Sequence, residues 1–126
     1  MRAILALTAA GTMACAAGVA SAQTWVRLAQ TGPETIYYDP AAATAADGTV
    51  TATLRAVFDP PQPSGSVQVA SMVERMAIDC RAGRYSDLGN VAYDASGREL
   101  FRTGPSSPKS IASGSGAVAI AAKVCR

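Results

Sequence analysis

Residues 72–94 read MVERMAIDCRAGRYSDLGNVAYD, and this stretch predicts two β-strands joined by a short turn that contains Gly83. The first strand begins upstream at Ser66, because valines recur through it and β-branched residues favour strands. A helix is the rival interpretation, since Met-Val-Glu-Arg-Met at residues 72–76 also suits one. The second strand covers residues 84–93 and is expected to pair back on the first. Cys80 lies where the first strand ends, so a bond at this residue would tie the hairpin to another part of the chain.

Strict alternation of apolar and polar side chains predicts the clearest strand, at residues 49–59. One side of this strand is apolar throughout: Val50, Ala52, Leu54, Ala56 and Phe58. Such alternation is typical of an antiparallel strand with one buried and one solvated face. Further strands are predicted at residues 25–29, 35–39 and 98–102, each bounded by turn residues. Short turns between successive strands indicate an antiparallel meander of about six strands.

Two neighbouring segments lack a strand pattern. Residues 41–46 favour a helical turn by propensity, but the segment is too short to form a helix alone. Residues 60–65 read Pro-Pro-Gln-Pro-Ser-Gly, and we predict an exposed, mobile connector outside the sheet. The reason is that proline lacks the N–H group needed for a ladder hydrogen bond.

The end of the chain predicts a short helix after a loop. Residues 104–116 are rich in Gly, Ser and Pro, whereas residues 117–124 are apolar and rich in alanine. Ser113 or Ser115 is a candidate N-cap. We expect one side of the helix to dock on the sheet, and helical spacing assigns to that side Val118, Ala121, Ala122 and Cys125.

Residues 1–22 are predicted to be a secretory signal peptide, which leaves residues 23–126 as a single domain. Arg2 precedes a mostly apolar stretch, and Ala20-Ser21-Ala22 forms an A-x-A cleavage site. An N-terminal membrane anchor is one alternative, although the apolar stretch is short and rich in alanine. Lipidation of Cys15 is another, which would make the protein an outer-membrane lipoprotein. The preceding residues fit a lipoprotein signal only loosely, so we expect a periplasmic or secreted protein without a transmembrane segment.

Cleavage at this site removes Cys15 and leaves Cys80 and Cys125. An even number of cysteines in an exported chain predicts a structural disulfide rather than a reactive thiol. The chain has no C-x-x-C motif and no His to activate a thiolate. The lack of His also excludes a His general base and removes the commonest zinc ligand. We therefore predict no cofactor and no metal site.

Four aspartates remain as candidates for acid–base catalysis, and we predict that none of them is catalytic. Asp39 and Asp59 precede prolines and Asp94 opens a turn, so their side chains suit strand ends and turns. Asp79 lies close in sequence to several arginines and is expected to form a surface ion pair.

The charge balance gives no reason to expect a nucleic-acid partner. The net charge is +2, and without Arg2 ten basic side chains face nine acidic ones. Arginines on neighbouring predicted strands form either a solvated sheet face, which is the commoner case, or a basic patch for an acidic polysaccharide or protein. Alternation also directs one ring of the Tyr37-Tyr38 pair outward. The candidate binding surface comprises Tyr38, Arg75, Arg81 and Arg84.

Several landmarks are shared with a known family. They are Trp25 at the first strand, Tyr37-Tyr38-Asp39-Pro40, the strand ending at Asp59, Ser71, Ile78-Asp79-Cys80, residues 84–89 and Cys125. In these residues the chain resembles the surface-adhesin E-like proteins, small exported bacterial domains related to adhesin protein E. The resemblance implies a twisted antiparallel sheet with a disulfide-tethered C-terminal helix. The best-known member is a surface lipoprotein that binds host matrix and serum proteins, and no binding motif maps onto particular residues of this chain.

We therefore predict an α+β fold, in which a short C-terminal helix is tethered to the meander by a Cys80–Cys125 disulfide. The first functional hypothesis is a non-catalytic cell-envelope module that binds host extracellular-matrix or other envelope proteins. The alternative is a periplasmic accessory or structural protein without a host ligand. A small hydrolase would need a pocket with converging Asp or Arg side chains, which the sequence does not predict.

Overall fold

The computed structural model describes residues 24–125, without the side chain of Ser115, as one antiparallel sheet followed by one helix. The strands are β1 (Val26–Thr31), β2 (Glu34–Tyr38), β3 (Thr44–Ala46), β4 (Thr49–Ser64), β5 (Val67–Asp79), β6 (Arg84–Tyr93), β7 (Glu99–Thr103) and β8 (Lys109–Ser110), and the helix is α1 (Ser115–Val124). Short 3-10 turns at Pro40–Ala42 and Ile111–Ser113 precede β3 and α1. The predicted signal peptide and Cys15 lie outside the described residues.

The strands form a meander in the order β1-β2-β4-β5-β6-β7. All six predicted strands are present, which confirms the α+β class, and β5 rules out the rival helix at residues 72–76. Two short strands were not predicted: β3 pairs with the start of β4, and β8 pairs with the start of β6. Segments of three and two residues are too short to show an alternating pattern.

The prediction of a connector at residues 60–65 is wrong, because β4 continues to Ser64 and pairs there with β5. The pairing of β4 with β2 ends at Phe58, so the rest of β4 is an edge strand. Edge strands tolerate proline because one row of their N–H groups has no ladder partner. The ladder with β5 is interrupted between Val57 and Gln62, and the Asp59–Pro60 peptide in this interval is cis.

The sheet has one buried face, here called the core face. Its alternating residues include Leu54, Met76 and Ile78, each at most 2% exposed, and Tyr85 from β6 at 8%. The opposite face, here called the open face, carries the other side chains of the same strands. Within residues 24–125 the single α-helix lies on the core face, so no helix covers the open face.

Helix α1 docks through Ala117 and Ile120, which are fully buried in the core cluster. The predicted docking side is therefore partly wrong, because Val118 is 48% exposed and Ala122 is also exposed. Nearly every residue of this helix is apolar, so helical spacing alone could not determine which side faces the sheet. The helix is oriented so that Ile120, its largest apolar side chain, is buried. Gly114 occupies the N-cap position, without a side-chain cap hydrogen bond.

A disulfide between Cys80 and Cys125 joins the end of α1 to the turn after β5. The two Cα atoms are 5.4 Å apart, although 45 positions separate the cysteines in the sequence. Both side chains pack against the core cluster. The predicted tether between the chain end and the central hairpin is confirmed.

Candidate functional site

One row of side chains crosses the whole open face. Strand register aligns Arg27, Tyr37, Arg55, Val73, Val91 and Arg102 across β1, β2, β4, β5, β6 and β7. Directly paired residues of neighbouring strands project to the same face of a sheet. We call these six residues the central row.

Arg75 lies beside the central row. It is two residues after Val73 on β5, opposite Thr53 of β4 and Gly89 of β6. This register makes Arg75 a diagonal neighbour of Arg55, and diagonal neighbours in a sheet are about 7–8 Å apart. Two guanidinium groups that can approach within a Debye length therefore occupy the middle of the open face.

These two arginines are not neutralised, whereas the other arginines of the face have partners. Arg102 forms a salt bridge with Glu99, Arg84 donates to the Pro108 carbonyl at 3.0 Å, and Arg27 donates to Gln30. For Arg55 and Arg75, the described chain contains no hydrogen-bond or ion-pair partner. Arg55 is half-buried and Arg75 is exposed.

Aromatic rings flank the two arginines. Tyr37 is the neighbour of Arg55 in the central row. Trp25 and Tyr93 line a shallow depression of about 270 Å³ together with Arg55 and Val73. The middle of the open face thus combines unpaired positive charge with aromatic surface.

The structure distributes the four predicted surface residues over different places. Tyr38 packs against the core cluster, so the tyrosine assigned to the binding surface was the inward one, and Tyr37 is the ring on the open face. Arg75 and Arg84 share the open face, four residues apart in register along β5. Arg81 lies in the exposed turn between β5 and β6. The register with β4 would have been needed to choose between the two tyrosines.

Three of the four candidate aspartates accept hydrogen bonds within their own turns, whereas Asp59 precedes the cis bond to Pro60. Asp39 accepts a hydrogen bond from the Ala41 N–H at 3.0 Å, which caps the first 3-10 turn. Asp79 accepts from the N–H groups of Arg81 and Ala82 at 3.1 and 3.0 Å, in place of the expected ion pair. Asp94 forms a salt bridge with Arg98 at 3.3 Å within its turn. These roles agree with the turn positions expected from the sequence.

Two carboxyl groups that the sequence did not single out meet on the core face. Burial, reinforced by the neighbouring Asp87, raises the pKa of Glu74 to about 8. The hydrogen bond from Glu74 lowers the pKa of Asp87. Asp87 is 14% exposed, and its Oδ2 also contacts Ser106 Oγ at 3.3 Å and Lys109 Nζ at 3.6 Å. The pair therefore holds the segment before β8 against β6.

A groove of about 210 Å³ lies on the core face beside this pair, next to the beginning of α1. Ile36, Phe58 and Met72 form much of its apolar lining, and Glu74 contributes a polar wall. The described residues contain no group of three or more His, Cys, Asp or Glu side chains arranged to hold a metal ion. Among them there is also no helix with the length and apolar character needed to cross a membrane.

Comparison with known proteins identifies one family. The profile of the family described as Surface-adhesin protein E matches residues 25–126, which is most of the chain. No curated protein and no solved structure matches.

Proposed function

Because the chain belongs to the Surface-adhesin protein E family, we propose that it is an exported, non-catalytic binding module of the bacterial cell surface. In this proposal the protein binds host extracellular-matrix or other envelope macromolecules and does not alter them chemically. The contact surface is the open face of the sheet.

One observation carries this proposal: Arg55 and Arg75 lie unpaired beside aromatic rings on a face that no helix of the described chain covers. Arginine and aromatic residues are enriched at the anchoring positions of interfaces. Arg55 is also half-buried, which restricts its side chain before a ligand binds.

The aspartates support a non-catalytic role. Asp39, Asp79 and Asp94 are engaged by backbone N–H groups of their own turns. Asp87 is held by Ser106 and Lys109, so its carboxylate serves to fix the chain before β8. This arrangement leaves contact as the activity that the family and the open face together support.

The test combines accessibility with site-specific cross-linking in the producing cells. A photo-cross-linking amino acid replaces Val73, in the middle of the open face, or Val118, which is exposed on α1. We expect the protein to be accessible to antibody on intact cells and to form adducts from position 73 but not from position 118. Protein that is inaccessible on intact cells would instead support the periplasmic accessory role. Adducts from both positions or from neither would refute the open face as the contact surface.

A further inference from the structure

We propose that the open face binds a linear acidic polysaccharide, whose sulfate or carboxylate groups pair with Arg55 and Arg75. This inference rests on the proposed function and names the chemistry of its ligand. Such chains occur on the proteoglycans of host matrix and in bacterial envelopes, and both sources present the same anionic groups.

The first support is the separation of charge between the two faces. Five arginines project from the open face: Arg27, Arg55, Arg75, Arg84 and Arg102. Asp79 and Glu99 lie at the margins of that face and are engaged by the turn after β5 and by Arg102. Asp94, which is paired with Arg98, and Asp59 line a second depression beside Arg55 without forming an ion pair with it. Glu34, Glu74 and Asp87 lie on the core face. The open face therefore carries more arginines than acidic side chains, although the net charge of the chain is close to zero.

The second support is the state of Arg55 and Arg75. The two side chains leave the sheet about 7–8 Å apart, which is within a Debye length, so their like charges repel each other. In the described chain neither side chain has an acidic partner that would relieve this repulsion. An anionic group bound between them would relieve it, and the guanidinium fork matches the paired oxygens of sulfate and carboxylate.

The third support is the linear arrangement of the central row. Neighbouring strands are about 4.8 Å apart, so Arg27 is about 10 Å from Arg55, and Arg102 about 14 Å from it on the other side. Positive groups thus recur along a straight line across the sheet. An extended chain with repeated anionic groups can contact this line at several points.

The composition of the face favours a polysaccharide over an acidic protein. Its side chains between the arginines are mainly Thr, Ser and Val, and the largest apolar surfaces are the rings of Tyr37, Tyr93 and Trp25. Aromatic rings beside hydrogen-bonding groups suit sugars, whose rings present C–H groups on their faces and hydroxyls at their edges.

The experiment measures binding of the purified mature protein by calorimetry at about 50 and 200 mM NaCl. Heparin represents host glycans, and acidic polysaccharide extracted from the producing cells represents the envelope source. Dextran, poly-glutamate and duplex DNA are the comparison ligands. The test variant is Arg55→Gln/Arg75→Gln. The control is Lys123→Gln/Arg126→Gln, which removes the same charge from the last four residues of the chain. Circular dichroism checks the fold, and Arg75→Gln alone serves if the double variant fails to fold.

We expect binding to at least one acidic polysaccharide, with affinity lowered at least about tenfold in the test variant and within about twofold of wild type in the control. Which polysaccharide binds identifies the source. The inference is overturned if both double variants lose affinity equally, if neither polysaccharide binds, or if poly-glutamate or DNA binds as tightly.

The result is distinguishable from failure of the proposed function. Protein that is exposed on cells and cross-links through position 73, yet binds no acidic polysaccharide, removes this inference and leaves the binding module. Protein that is neither exposed nor cross-linked removes the proposed function, whatever the polysaccharide measurement gives.

Discussion

Glu74 lies on the core face of β5, where its carboxyl group meets that of Asp87. Asp87 Oδ1 is buried, and within the described part of the chain no backbone N–H and no permanently protonated side chain donates to it. Two carboxyl groups can share a hydrogen bond only if one of them carries a proton. Burial and the charge of Asp87 place that proton on Glu74, which raises the pKa of Glu74 to about 8.

This proton makes stability depend on pH. Below pH 4.5, the ordinary value for Glu74, both the folded and the unfolded state hold the proton. Between pH 4.5 and about 8 only the folded state holds it, so the free energy of unfolding falls as the pH rises through this window. Asp87 acts in the opposite direction at acidic pH, because its pKa is lowered and its stabilisation is lost as the pH falls below the ordinary value. The other charged groups near Glu74 are Lys109 and Glu34.

Glu74→Gln is predicted to remove the alkaline loss of stability. The amide donates to Asp87 at every pH, so we expect the variant to exceed wild type by about 1–3 kcal/mol at pH 8.5 and to resemble it at pH 5. Urea unfolding followed by circular dichroism measures the free energy of unfolding of both proteins at the two pH values. Glu34→Gln is the control on the same face. A wild-type midpoint that stays constant from pH 5 to 8.5 would contradict the assigned proton.

The sequence predicted only half of this pair. The alternation along β5 puts Glu74 on the side of Met76 and Ile78, in agreement with the register. Its partner depends on a β-bulge, because the register with β6 shifts between Arg75 and Met76. The bulge turns Asp87 onto the core face and leaves Leu88 37% exposed. No sequence pattern in β6 predicts this β-bulge. Strict alternation therefore cannot show which side chains of β6 point toward the core.

The N-cap residue of helix α1 lies close to a side chain of the sheet. A Cβ atom added to Gly114 would lie 2.6 Å from the Tyr85 hydroxyl oxygen and 3.0 Å from Cζ of the same ring. Tyr85 is 8% exposed, so the ring has little room to move. A Cβ atom added to Gly116 would meet Leu54 Cδ2 at 3.8 Å, which is an ordinary contact.

These two glycines give a matched prediction. Gly114→Ala is expected to lower the free energy of unfolding by about 1–3 kcal/mol, because the added methyl group must displace Tyr85 or the helix. Gly116→Ala is expected to be neutral or stabilising by up to about 1 kcal/mol, since alanine favours the helix. Equal urea midpoints for the two variants would show that the helix start does not pack against Tyr85 as described.

At the level of strands and helices, the sequence predictions were correct where the local residue pattern was strong. The strand at residues 49–59 was clear because its alternation is strict, and β4 does include it. Its extension through Pro60, Pro61 and Pro63 was missed because the local rule against proline assumes a central strand. Whether a strand is central or at an edge depends on its neighbours, which are not visible in the strand itself.

At the scale of the whole molecule, the architecture was predictable and the functional surface was not. Alternation and two cysteines were enough for the meander and its tether, since each depends on local pattern or on simple counting. The central row depends on the register of six strands at once. A shift of one residue in one strand would move its contribution to the other face, so the alignment of Tyr37, Arg55 and Arg102 emerges only from the assembled sheet.

The disulfide links the two parts of the molecule that the sheet alone does not hold together. Helix α1 has ten residues, and it contributes Ala117 and Ile120 to the buried core cluster. A helix of this length is marginal without tertiary contacts. The Cys80–Cys125 bond closes a loop across 45 positions, and in the chain-entropy account a loop of this size stabilises the folded state by about 4 kcal/mol.

Reduction of this bond is therefore predicted to remove a large part of the total stability, which for a domain of this size is about 5–15 kcal/mol. We expect reduced wild type and Cys80→Ala/Cys125→Ala to unfold at similarly low urea concentrations, with a loss of about 4 kcal/mol in each. Reduced wild type keeps both cysteine side chains. Comparing it with the double variant therefore separates the contribution of the cross-link from the effect of lost side-chain packing. Hydrogen exchange should show α1 losing protection first, because the helix depends on the tether whereas β4 and β5 are held by the sheet. Reduced protein as stable as oxidised protein, with α1 still protected, would mean that Ala117 and Ile120 hold the helix without the bond.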